Sequence, residues 1–79
     1  MKTLLLDKTT GLYLKDLGNW VEKPQEAHAF KSSARAVEFC IEHNLWGIQI
    51  VWEFDTGRQE LILTVDDPLA RTALFSAHT

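Results

Sequence analysis

Residues 47–65 read GIQIVWEFDTGRQELILTV, and this stretch decides the architecture. From Gly47 to Phe54 the residues alternate. Ile48, Ile50, Trp52 and Phe54 fall on one face, and Gln49, Val51 and Glu53 fall on the other. That is the period of a half-buried strand, and it places Trp52 in the core. Asp55-Thr56-Gly57-Arg58 reads as a type I turn with Gly57 in the left-handed region, a common three-residue hairpin link. Gln59 to Val65 returns as a second strand, with Leu61, Leu63 and Val65 on one face and Glu60, Ile62 and Thr64 on the other.

Upstream of this hairpin the period changes from two to 3.6. Ala36, Phe39, Cys40 and His43 recur at i, i+3, i+4 and i+7, Val37 and Ile41 widen the stripe, and Arg35, Glu38 and Glu42 take the opposite side. This is an amphipathic helix lying on a core. Ser32 is its expected N-cap and Asn44 its left-handed stop. Trp46, beside Leu45, is expected to pack under that corner. Further upstream, Pro24 suits a first helical turn, so residues 24–30 read as a short helix with Ala27 and Phe30 on one face. Lys23 is a poor cap for it.

The N-terminal residues 3–7 and 12–15 form two short extended runs around Lys8-Thr9-Thr10-Gly11, a second hairpin. Leu12 and Leu14 share one of its faces, Tyr13 and Lys15 the other. Trp20 and Val21 either extend its second strand past a kink at Gly18-Asn19 or follow a tight turn with its own hairpin. At the other end, Asp67-Pro68 reads as an N-cap and first turn, with Leu69, Ala70, Ala73, Leu74 and Ala77 striping a helix to about Ser76. The expected order is β-β-(short α)-α-β-β-α: one α+β domain over residues 1–79, a four-stranded, mainly antiparallel sheet of two hairpins with one main helix on a face. Tyr13, Val51 and Ile62 would make the outer face partly apolar. That face, or an edge, is left for the C-terminal segment or a partner.

Composition narrows the classes. With 46% hydrophobic and 24% charged residues, four Gly and two Pro, the chain is that of a folded domain and not of a disordered one. A chain of 79 residues buries only about 60% of its extended surface, which leaves a thin stability margin and gives a partner something to contribute. One Cys rules out an intrachain disulfide framework and suits a reducing compartment. Asp7 ends the first apolar stretch early for a signal peptide, and no apolar run approaches a membrane span, so a cytoplasmic location is expected. A net charge of −3 argues against a general phosphate-backbone binder.

No spacing specifies a reaction. Cys40 and His43 have Cys-x-x-His spacing, which zinc sites use, and His28 and His78 would complete four ligands. Cys40, however, sits mid-helix on the apolar side, where a small buried thiol packs as a hydrophobe. The same position denies it the cation or helix N-terminus that a nucleophilic thiolate needs. Asp66-Asp67 is accounted for by helix capping, and Glu38 and Glu42 by a solvated helix face. Three Trp in 79 residues is a high density, and any aromatic left in solvent would anchor a partner. Tyr13, Trp20 and Trp46 are the candidates for that surface. With Lys15, Lys23, Lys31, Arg35 and Arg58, the first two would also make an aromatic–basic platform for single-stranded nucleic acid, diluted by eleven acidic residues.

Tyr13-x-Lys15, Trp20, Ala27-x-x-Phe30, and Phe30-x-Ser32-x-x-x-Ala36 with an extended Ile48 to Val51 segment resemble a loose group of small bacterial and phage proteins of unknown function. The resemblance covers residues 12–52 and implies an architectural pattern, with no catalytic or binding residue to carry over. It departs at Val21-Glu22-Lys23-Pro24, where the group tends to Thr and acidic residues. The expectation is therefore a small non-enzymatic interaction module, homodimeric, without a cofactor. A nucleic-acid-associated accessory protein is the first alternative, and a metal protein using Cys40 and His43 the second.

Overall fold

The computed structural model describes residues 1–67. Five strands, one helix and a 3-10 turn follow one another: β1 (Lys2–Asp7), β2 (Tyr13–Asp16), β3 (Asn19–Val21), the 3-10 turn Pro24–Glu26, α1 (Ser33–Glu42), β4 (Ile48–Glu53) and β5 (Gln59–Val65). The strands form one antiparallel sheet in the order β3-β2-β1-β4-β5. The fold is thus α+β with an antiparallel sheet, as expected, but with five strands where four were expected. Gly18, at φ +77°, lets the chain reverse at Leu17-Gly18, so Asn19–Val21 becomes a strand of its own. A bulge between Leu14 and Asp16 precedes that turn.

The short helix expected over residues 24–30 is also corrected. No side chain caps its start, and only Pro24–Glu26 coil. Ala27 is already extended, the His28 amide donates to the Leu14 carbonyl, and the Phe30 amide donates to the Thr3 carbonyl at 2.8 Å. Sheet hydrogen bonds on both sides hold residues 28–30 extended, and these outweigh an uncapped two-turn helix. The same segment takes the edge of β1 at Thr3, beyond the point where β2 pairs with it.

The main helix forms where its sequence says. Ser32 is extended, and its hydroxyl accepts from the Arg35 amide at 3.2 Å. At the far end Asn44 adopts φ +52°, while the Leu45 amide reaches the Cys40 carbonyl and the Asn44 amide the Ile41 carbonyl. This is a Schellman closure with Asn44 at the left-handed position. Ala36 and Cys40 are fully buried against Leu5, Leu14, Ile48, Ile50 and Val65, with Val37, Phe39, Leu45, Trp20, Phe30, Trp46 and Ile62 packed around them. Ile41, expected to widen the buried stripe, is instead 56% exposed. It lies on the flank of a helix that covers only part of the sheet. Trp52, expected in the core, is half-buried and outside this cluster.

The β4–β5 hairpin closes as read, with the Gly57 amide on the Phe54 carbonyl and Gly57 at φ +85°. Its register contains one surprise. Ile50 pairs with Leu63 but Val51 pairs with Leu61, so Ile62 is an extra residue. The bulge shifts the alternation by one. Leu61 goes to the face of Val51, away from Leu63 and Val65 with which it was grouped, and Ile62 packs on the core and not on the outer face. The C-terminal helix expected after Asp67 lies outside the described residues.

Candidate functional site

The face of the sheet away from α1 carries Leu4, Leu6, Tyr13, Val51 and Leu61 by register. Leu4 and Val51 are buried all the same, at 0% and 4% exposure. A polar bridge runs over this face: the Tyr13 hydroxyl donates to Gln59 Oε1 at 3.0 Å, and Gln59 Nε2 donates to Glu53 Oε2 at 3.3 Å. Tyr13 is on β2 and Gln59 on β5, with β1 and β4 between them in the sheet. Side chains of those lengths meet only if the sheet curls toward that face. Leu4 and Val51, paired at the middle of this face, are the buried apolar residues between the two ends of the bridge in the sheet.

Tyr13, Trp20 and Trp46 do not converge. Tyr13 spans the curled face, while Trp20, paired with Leu14, packs on the helix-side core. Trp46 packs on the same core, beyond the Schellman closure. All three are half-buried. Tyr13 and Trp20 therefore lie on opposite faces and share no platform. Arg58, one of the basic residues, sits over the Phe54 ring at 5.0 Å from its centroid.

Cys40 Sγ is inside the core, and burial pushes its thiol up to about 11. His43, three residues on, caps the helix in solvent with its ring 4.5 Å from that of Phe39. Phe39 meets Phe30 at 5.3 Å, and Phe30 meets His28 at 4.6 Å, so four rings run along the surface beside α1. A half-open groove of about 240 Å³ adjoins them, lined by Leu14, Lys15, Leu17, His28, Phe30 and Phe39 among others. Among the described residues no three His, Cys, Asp or Glu side chains converge as metal ligands would. His78 lies outside the described residues.

The arrangement best suited to a partner is the outer side of β5. This seven-residue strand ends the sheet, and among the described residues nothing pairs with its outer edge. It holds one charged residue, Glu60, and neither Lys nor Pro, so the bulge at Ile62 is its main guard. Leu61 is 54% exposed and Leu63 38%. Arg58 precedes the strand, and Asp66 and Asp67 follow it. Asp66 also pairs with Lys8 at 3.1 Å. The sequence pointed to a strand here but not to a bare edge, because strand order is not written in alternation. The run Leu61-Ile62-Leu63 was the available signal: three consecutive apolar residues cannot all be on one face of a regular strand.

No helix among the described residues is long and apolar enough to cross a membrane. No known protein family, curated protein or solved structure matches this chain.

Proposed function

We propose that the chain is a non-enzymatic interaction module that works by strand addition along β5. The observation that carries the reading is the seven-residue edge, without Lys or Pro and unpaired among the described residues, with Leu61 and Leu63 exposed. An edge strand presents a row of backbone donors and acceptors whose natural complement is another extended chain. Apolar side chains beside that row add burial once a strand is in place.

The test is amide hydrogen exchange on the full chain at low micromolar concentration, with and without a synthetic peptide of residues 58–67. The outward amides of β5 are expected to exchange fast alone and to slow on adding the peptide, while β1 and β4 amides stay protected throughout. Outward β5 amides already protected in the dilute monomer would refute the reading, since the edge would then be occupied within the chain.

A further inference from the structure

Resting on that reading of β5, we infer that the strand it accepts is β5 of a second copy, paired antiparallel about a two-fold axis. The chain carries its own complement in both shape and charge. A two-fold pairing keeps the two faces of the sheet continuous only if opposed residues belong to the same face. Leu61 lies on the curled face with Val51, and Thr64, opposite Gln49, lies on that face too. Leu63 pairs with Ile50 on the helix side, and Ile62 packs there. For pairing along the whole of β5, the bulge therefore leaves one centre of symmetry, between Ile62 and Leu63. About it, Leu61 opposes Thr64 of the partner subunit and Ile62 opposes Leu63 of the partner subunit.

That same register, set by the faces alone, fixes the charges at the ends. Arg58 falls opposite Asp67 of the partner subunit and one position from Asp66 of the partner subunit. The two-fold repeats the match at the other end. A parallel pairing would instead put Arg58 beside its own copy and the two acidic pairs together, which like charges disfavour. The ends thus select the antiparallel arrangement, and the row of Leu61, Ile62 and Leu63 supplies apolar contact between them.

Sedimentation velocity on the full 9.0 kDa chain, from low to high micromolar concentration, tests this. Wild type is expected to pass from monomer to dimer, with the dimer weakening severalfold as salt is raised. Leu61→Lys, at an exposed position, is expected to remain monomeric with unchanged circular dichroism. Arg58→Glu is expected to weaken the dimer about tenfold, and the double variant Arg58→Glu/Asp67→Lys to restore it. A dimer that survives Leu61→Lys, or a double variant weaker than Arg58→Glu, overturns the interface. A chain monomeric at every concentration overturns the second copy as partner. If it still binds the 58–67 peptide, strand addition stands and only this inference fails.

Discussion

Replacing Tyr13 by Phe removes one hydroxyl and nothing else, and it probes whether the sheet is curled. The bond from Tyr13 to Gln59 is 3.0 Å long and solvent-exposed. Net hydrogen-bond contributions run about 0.5–1.5 kcal/mol, and exposure puts this one in the lower half, about 0.5–1 kcal/mol. A domain of this size shifts its melting point about 4–8 °C per kcal/mol, so Tyr13→Phe should lower it by roughly 2–8 °C. Tyr13→Ala also removes a half-buried ring from the face that carries Leu4 and Val51 and should cost about 2–3 kcal/mol, below the range for a fully buried aromatic. Gln59→Ala loses the bond from Tyr13 and the one to Glu53. The double variant Tyr13→Phe/Gln59→Ala should therefore cost less than the sum of the singles, by about 0.5–1 kcal/mol. Urea unfolding followed by Trp fluorescence, below the concentration of self-association, measures all four corners. Additivity within about 0.3 kcal/mol, together with a neutral Tyr13→Ala, would refute the bridge and with it the curl.

Cys40 gives a pH dependence with a definite sign. Its thiol is raised from 9.0 to about 11 in the folded chain, so the folded state holds its proton more tightly than the unfolded one. Stability from this group is complete below pH 9 and is lost as pH rises toward 11, which a series of urea titrations will show. By the same token a disulfide-exchange reagent at pH 8 should leave the native thiol untouched and label it at once in denaturant. Ser32→Ala should cost about 1 kcal/mol by freeing the Arg35 amide, read from the urea midpoint. Gly57→Val forces a β-branched residue to φ +85° and should lower stability by about 1–3 kcal/mol, while Gly57→Asn should cost far less.

Local chemistry alone determined a good part of this protein. The Ser32 cap, the Asn44 stop, the buried Ala36–Cys40 stripe and the Gly57 turn each depend on residues within a few positions of one another, and each was legible as such. What tertiary structure decided is of another kind. Whether residues 27–30 coil or extend was settled by β1 and β2 competing for their amides. Which way Ile62 points was settled by a one-residue slip against β4. That Tyr13 would meet Gln59 depended on how two distant hairpins curl around Leu4 and Val51, and the identity of the bare edge depended on the order of strands in the sheet. Hydrophobic periodicity records which side of an element is apolar, but it carries no information about which element lies beside it. A site built on a sheet edge becomes visible only once that order is known.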